Sequence, residues 1–149
     1  MLLKTHLIIA LTFILYLVNS VNYKILFVFG VLIATILPDV DSTQSFLGRR
    51  WYLRPFQWVT KHRGMFHSLS FCFVLALLIS FFYPLLAFPF FLGYGVHLLA
   101  DSMTIEGIRP FWPNKNIVHG NITTGGRKEK IIFYVFIILD VLLFIGLFI

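Results

Sequence analysis

The sequence LLAFPFFLGYGVHLLAD, residues 85–101, is an apolar run that ends in a histidine and an aspartate four residues apart. Its length approaches the roughly 20 residues that a membrane-spanning helix needs. On such a helix His97 and Asp101 lie on the same face, within reach of a shared ion. The stretch therefore predicts an apolar helix with paired ionisable side chains at one end.

The whole chain shares this apolar character. Of its 149 residues 59% are hydrophobic, and 18 are phenylalanine, whereas Asp and Glu together number 6. The mean hydropathy is +0.90, far above that of a soluble globular domain. Because so few charges cannot hydrate a soluble surface, the sequence argues against a water-soluble fold and predicts that lipid is the solvent. The single cysteine, Cys72, lies in an apolar run and has no disulfide partner, so we interpret it as a small hydrophobe.

We predict an all-α integral membrane bundle of about five helices, forming one domain over residues 1–149. Pro84 indicates a tight hairpin rather than a kink, and the second and third segments are short for a span, so they need flanking residues or are partly re-entrant. The first segment lacks a good cleavage pattern and is expected to be retained. The apolar segments are 2–18, 23–37, 69–83, 85–100 and 131–149, and the polar loops are 39–67 and 102–130.

The basic residues set the predicted orientation. A soluble protein with a net charge of +6 would suggest nucleic acid, but in a membrane protein lysine and arginine mark the cytoplasmic side. With five spans, all of the 12 basic residues except Lys24 fall on one face. We therefore expect a multi-pass protein of the inner (plasma) membrane, with a cytoplasmic N-terminus, cytoplasmic basic loops and no direct binding of nucleic acid.

The same topology brings most of the histidines and aspartates to the cytoplasmic helix ends. They lie near the start of the first helix, after Pro38 at the end of the second, before the third, and at the end of the fourth. We expect Pro38 to leave the two aspartates after it in an extended turn, and Gly64 to interrupt the helix so that the third helix begins with the histidine at 67. The candidate metal ligands are His6, Asp39, Asp41, His62, His67, His97 and Asp101.

Neutral imidazole nitrogen and carboxylate oxygen together suit Zn²⁺ and its first-row neighbours. Cysteine is missing from the set, which argues against a closed structural zinc site and leaves room for a position where water is activated. Seven groups exceed one tetrahedral shell, so the sequence is compatible with two or more ions. The predicted cofactor is a divalent metal, with Zn²⁺ as the first candidate.

Four motifs occur in order along the chain: Thr5-His6, the stretch LPDVD at 37–41, the stretch HRGMFHS at 62–68, and His97 to Asp101 followed by Thr104, Gly107 and Pro113. Together they resemble the YdjM-like family of inner-membrane-associated, metal-dependent hydrolases, some of whose members are linked to binding a repressor. That family is in turn similar to zinc-dependent phospholipase C, whose helical site also uses a His-x-x-x-Asp pair. The resemblance implies the same seven site residues and hydrolysis as the activity.

Our leading hypothesis is a membrane-embedded hydrolase in which metal lowers the pKa of a bound water toward roughly 7 for attack on an ester or phosphoester. Asp39 or Asp41 is the candidate catalytic base, and Arg63 is the candidate ligand for a substrate phosphate. The expected partners are membrane lipid, a substrate that bears phosphate, and a regulatory protein.

Two rival functions stay open. A non-catalytic scaffold or regulator would use metal only to hold helices together. If no metal binds, His97 and Asp101 would form a structural hydrogen-bonded pair that joins helices. A metal or ion transporter is disfavoured because its ligands belong near the bilayer midplane. His119 and Glu106 are interpreted as ordinary loop residues, and Asp140, inside the last apolar run, as protonated, paired or facing the bundle interior.

Overall fold

The computed structural model describes residues 1–41, 51 and 64–148, and within them the fold is all-α, as predicted. No strand occurs among these residues, which contain only two isolated β-bridges, in the loop before the last helix. The five helices coincide with the five predicted apolar segments. They are α1 (Leu3–Leu17), α2 (Lys24–Ile36), α3 (Leu69–Phe82), α4 (Pro84–Ser102) and α5 (Arg127–Gly146).

Two helix starts differ from the prediction. Helix α3 begins at Leu69 rather than at His67, because the Ser68 hydroxyl caps it by accepting a hydrogen bond from the Phe71 amide at 3.1 Å. His67 lies in the 3-10 turn Met65–His67 just before the cap. Helix α5 begins at Arg127, earlier than the apolar segment at 131, because the carboxylate of Glu129 in its first turn accepts the Gly125 amide at 2.6 Å. Local capping, and not hydropathy, therefore sets both ends.

The turn after α2 also differs from the prediction. Leu37–Asp41 form a 3-10 helix that follows α2 directly, rather than an extended segment. Proline is tolerated there because its fixed φ of about −65° lies within the range of a 3-10 helix.

Helices α3 and α4 form the hairpin that Pro84 predicts. Tyr83 is the single residue between them, and the two helices pack against each other. Pro84 is the first residue of α4, where its fixed φ favours helix initiation.

The backbones of α2 and α4 approach each other closely. A Cβ atom added to Gly93 would lie 2.2 Å from the Val31 carbonyl oxygen, and one added to Gly30 would lie 2.8 Å from Cβ of Pro89. The Thr35 hydroxyl then donates to the Gly93 carbonyl at 3.2 Å. Because contacts advance in the same direction along both helices, α2 and α4 run parallel.

Two polar contacts join α1 to α5. The hydroxyl of Thr5 donates to Glu129 at 2.7 Å, and that of Thr12 donates to Asp140 two turns further along. These helices therefore also run parallel to each other. Asp140 is 5% exposed, which confirms that it is paired and faces the bundle interior.

The loop between α4 and α5 folds over the end of the bundle where α1 and α5 begin and α4 ends. Its Ile122 packs into the core formed by α1, α2 and α4, while Ile108 packs with Tyr94 and Cys72. The Pro110 carbonyl accepts the Ser70 amide at 3.1 Å, which ties the loop to the start of α3. Cys72 is fully buried and unpaired, as predicted.

Length and composition qualify two of the described helices as membrane spans, the stretch Leu3–Ser20 and α4, and α3 is apolar but shorter. Large apolar side chains line the outer faces of the other helices as well. Phe29 on α2, Phe73 on α3 and Ile138 on α5 are each more than half exposed. Such continuous apolar exposure is typical of a surface that contacts lipid.

We predict that Gly93→Ala destabilises the protein by about 1–3 kcal/mol, because a backbone carbonyl opposite the new methyl group cannot move aside cheaply. Gly95→Ala is the matched control on the same helix, since no atom lies within 4 Å of its added Cβ. Alanine there should stabilise the helix by up to about 1 kcal/mol. Thermal unfolding in detergent, followed by circular dichroism, measures both, and equal melting temperatures would contradict the α2–α4 contact.

Candidate metal centre

Five ionisable side chains from four separate segments meet at one end of the bundle. His6 extends from the first turns of α1, Asp39 from the turn after α2, His67 from the turn before α3, and His97 and Asp101 from the last turns of α4. The three imidazoles have no exposed surface, Asp101 is 2% exposed, and the side chain of Asp39 is 18% exposed. The sequence predicted all five, and the fold brings all five together.

Asp101 lies at the centre of this cluster. Its Oδ1 is 3.3 Å from Nε2 of His6, and its Oδ2 is 3.8 Å from Nε2 of both His67 and His97. The α-amino group of Met1 also approaches Oδ1, at 2.5 Å. A carboxylate this deeply buried needs positive or hydrogen-donating neighbours to offset its lost hydration, and the Met1 ammonium group supplies one.

Asp39 is the second carboxylate of the cluster. Its Oδ1 lies 3.8 Å from Nε2 of both His67 and His97. Burial raises the pKa of the Asp39 carboxyl, but its interactions with His67, His97 and His6 lower the pKa by more, so the net shift is downward. Asp39 is therefore ionised at neutral pH.

The backbone of α2 orients His97. The carbonyl oxygen of Thr35 lies 2.7 Å from Nδ1 of His97, and because a carbonyl only accepts, Nδ1 must carry the proton. The neutral ring then presents the lone pair of Nε2 to the carboxylates. Metal-binding histidines are commonly held this way, with the second ring nitrogen donating to a backbone carbonyl.

The other two imidazoles are held by packing. The ring of His6 stacks on that of His97, with centroids 4.0 Å apart and planes 7° apart. The Tyr94 hydroxyl donates to the Phe66 carbonyl at 2.6 Å, which fixes the His67 turn against α4. His67 then meets the His97 ring edge-on, with centroids 5.5 Å apart. Stacked imidazoles repel when both are charged, so this arrangement favours neutral rings.

The donor set fits a divalent cation. Two ligands at about 2.0–2.1 Å from a tetrahedral Zn²⁺ lie about 3.3 Å apart, close to the 3.3–3.8 Å between imidazole nitrogens and carboxylate oxygens here. Separations of 3.8 Å exceed hydrogen-bonding distance. Nε2 of His97 and both ring nitrogens of His6 are buried without a hydrogen-bond partner among the described residues. Two overlapping triads could each hold an ion: His6, His97 and Asp101, and Asp39, His67 and His97.

Three predicted site residues cannot be placed. His62 and Arg63 lie outside the described residues, as does the side chain of Asp41, although the backbone of Asp41 ends the turn after α2. Their roles stay predictions. His119 and Glu106 are exposed in the loop, as expected.

Three residues that the sequence pattern did not single out support the cluster. Thr35 and Tyr94 act through the contacts described above. Glu129, 1% exposed, accepts the Thr5 hydroxyl and the Leu2 amide, both at 2.7 Å, and so fixes the start of α1 beside His6. The one available signal was a lone acid within the basic stretch RKEK at 127–130. That pattern alone does not distinguish a buried anchor from a solvated residue.

Comparisons with known proteins agree with the motifs. Inner membrane protein YdjM of Escherichia coli (strain K12) is 39% identical over 93 residues, which cover 55% of this chain and 46% of that protein, and the Shigella flexneri protein of the same name matches equally. YvsG, an uncharacterised protein of Bacillus subtilis (strain 168), is 28% identical over 86 residues, covering 55% of this chain and 54% of that protein.

The chain thus spans about half the length of these relatives. No solved structure matches it significantly, and the similarity to zinc-dependent phospholipase C stays a prediction. The relatives' names support an inner-membrane location. The family described as YdjM inner membrane protein matches residues 1–149, so this chain belongs to the YdjM family of inner membrane proteins.

Proposed function

We propose that this protein is a multi-pass inner-membrane metalloprotein that hydrolyses an ester or phosphoester at the cytoplasmic membrane surface. The observation that carries the proposal is the convergence of three imidazoles and two carboxylates in one buried cluster, although they lie on four segments spread over residues 6–101. Burying these groups together costs solvation free energy, and a bound cation offsets that cost.

The five residues offer more donors than one tetrahedral ion needs. Neutral His97 offers a single lone pair at Nε2, so it can bind only one ion. The two triads that share His97 therefore form either one site, or two sites of which only one includes His97. A second ion needs further donors, for which Asp41 and His62 are the candidates. Imidazole and carboxylate ligands without cysteine favour Zn²⁺.

A bound divalent ion would supply Lewis acidity and lower the pKa of a water ligand toward roughly 7. The chain's own residues supply the rest of the chemistry. Asp39 is the most exposed of the five groups and is ionised, so it is suited to accept a proton from water, with Asp41 as the second candidate base. Asp101, buried between the histidines, is better suited to holding their orientation.

Charge favours a substrate that bears phosphate. Among the described residues, the loop and helix starts at this end carry Lys4, Arg109, Lys115, Arg127, Lys128 and Lys130. Arg63, next to His62 in the sequence, is the candidate for binding a phosphate oxygen. A site at the level of the lipid headgroups makes a membrane lipid the first substrate to test.

The metal prediction is tested by the metal content of the full chain purified in detergent, measured by mass spectrometry. We expect stoichiometric Zn²⁺ or a neighbouring divalent metal in the wild type, and at least a tenfold loss in His97→Ala. Asp39→Asn, at the partly exposed edge of the cluster, should also lose metal and is less disruptive to folding. His119→Ala, in the exposed loop, is the matched control. Wild-type protein free of metal, or full metal in both site variants, would overturn the proposal.

The hydrolase prediction is tested by screening the metal-loaded protein against carboxylic and phosphoric esters, including phospholipids. With its metal occupancy restored at a higher metal concentration and checked by mass spectrometry, Asp39→Asn should lower kcat by about 10²-fold or more because the base is lost, whereas Glu106→Gln should leave kcat unchanged. A chelator should abolish turnover. Activity that survives both the chelator and Asp39→Asn would contradict the assignment.

One observation favours a second function, a metal-stabilised scaffold or regulator. The imidazoles of His6, His67 and His97 have no exposed surface, which restricts access of a substrate to the ion. For a scaffold we expect bound metal, a melting temperature that falls when metal is removed, and no turnover across the ester panel. A regulatory protein is then the expected partner.

Orientation is tested with single cysteines introduced into a Cys72→Ala background. The parallel pairs α1–α5 and α2–α4 support five alternating passes, which place Lys24 outside and Lys115 inside the cell. A membrane-impermeant thiol reagent should label Lys24→Cys in intact cells whose outer membrane has been permeabilised. It should label Lys115→Cys only after the inner membrane is opened. The reverse pattern would reverse the topology.

A further inference from the structure

A second polar feature lies outside the metal cluster, between the start of α1 and the start of α5. A cavity opens there at the same end of the bundle as the cluster. Two lysines, one buried acid and three large apolar side chains line most of it. Its lining residues are Leu2, Lys4, Thr5, Gly125, Glu129, Lys130, Phe133 and Tyr134.

The cavity has a net positive charge. Lys4 and Lys130 are both exposed at its rim. Glu129 is the opposing charge, but its Oε1 accepts two hydrogen bonds, from the Leu2 amide and the Thr5 hydroxyl, and its Oε2 accepts the Gly125 amide. Because these donors disperse the carboxylate charge, the two lysines remain available for an anion.

The walls on the α5 side are aromatic. The ammonium group of Lys4 lies 5.0 Å from the centre of the Phe133 ring, a cation–π contact that holds the lysine over the cavity. Tyr134 is 62% exposed and continues into the outer apolar face of α5. Lysine next to tyrosine and phenylalanine at a helix end is typical of the layer where lipid headgroups meet acyl chains.

We propose that this cavity binds one anionic phospholipid, with Lys4 and Lys130 contacting the headgroup phosphate and Phe133 and Tyr134 contacting the first part of an acyl chain. Charge complementarity favours an anionic over a zwitterionic lipid. The apolar wall, continuous with the exposed face of α5, favours a lipid over free phosphate. Because both Glu129 oxygens are already hydrogen-bonded and the described residues of the lining include no other carboxylate, histidine or cysteine, we infer binding of the lipid here without hydrolysis.

The charged residues of the cavity are not those of the metal centre, but the two sites are adjacent. Thr5 lines the cavity, and His6, the next residue, faces the metal cluster. Glu129 joins the two through its hydrogen bonds to the first residues of α1. Bound lipid should therefore stabilise the start of α1 and, with it, the position of His6.

Native mass spectrometry of the full chain tests the proposal, using detergent micelles with equal amounts of phosphatidylglycerol and phosphatidylethanolamine. The wild type should retain one phosphatidylglycerol molecule in preference to phosphatidylethanolamine. At about 1 kcal/mol for each interfacial lysine, Lys4→Gln with Lys130→Gln should lower that preference roughly 30-fold. The matched control is Lys24→Gln with Lys115→Gln, which removes two exposed lysines outside the cavity and should leave the preference unchanged.

Two further measurements distinguish lipid binding in the cavity from phosphate binding and from metal binding. Excess inorganic phosphate should not displace the lipid, and displacement would assign the cavity to free phosphate and overturn the proposal. His97→Ala should retain the lipid, so that loss of metal binding and loss of lipid binding are distinguishable. Equal retention of the two lipids by the wild type, or equal effects of the two lysine pairs, would also overturn it.

Discussion

The carboxylate of Asp101 imposes the constraint on which this end of the molecule depends. Removing an ionised carboxylate from water costs several kcal/mol unless charges or hydrogen-bond donors replace the lost hydration. Here the α-amino group of Met1 donates to Oδ1, and Nε2 of His6 on α1 lies 3.3 Å from the same oxygen, while the imidazoles of His67 and His97 lie at 3.8 Å from Oδ2. The anion thus requires three segments to meet at one place. Any packing of the helices that separated them would leave a buried charge uncompensated.

The directions of the helices make this meeting possible. Because α1 and α5 run parallel and α2 and α4 run parallel, the start of α1 and the ends of α2 and α4 lie at the same end of the bundle. The glycine contact between α2 and α4 then sets their relative depth, since a larger residue at Gly93 would push the backbones apart. That depth brings the Thr35 carbonyl to Nδ1 of His97. A steric contact in the apolar interior thereby decides which nitrogen of His97 faces the carboxylates.

The polar pairs between α1 and α5 have a different role from the metal cluster. The Thr5 hydroxyl donates to Glu129 and the Thr12 hydroxyl donates to Asp140, so each bond joins a buried carboxyl group to the neighbouring helix. In an apolar surrounding, such hydrogen bonds supply specificity that apolar packing lacks, because lipid competes with any apolar side chain for the same surface. They fix the rotation of α1, and rotation decides that His6 points into the bundle while Lys4 points out toward the cavity.

The sequence by itself determined the all-α fold, the five helical segments and the five donors that meet in the cluster. These follow from properties local to the chain: apolar runs long enough to form helices, and His and Asp residues placed where those runs begin or end. Only the tertiary structure decided the 3-10 turn at Leu37–Asp41, the support of His97 by Thr35 and the anchoring of α1 by Glu129. The last two join residues 62 and 124 positions apart. Such contacts depend on the depth and rotation of packed helices, which hydropathy and spacing along the chain do not encode.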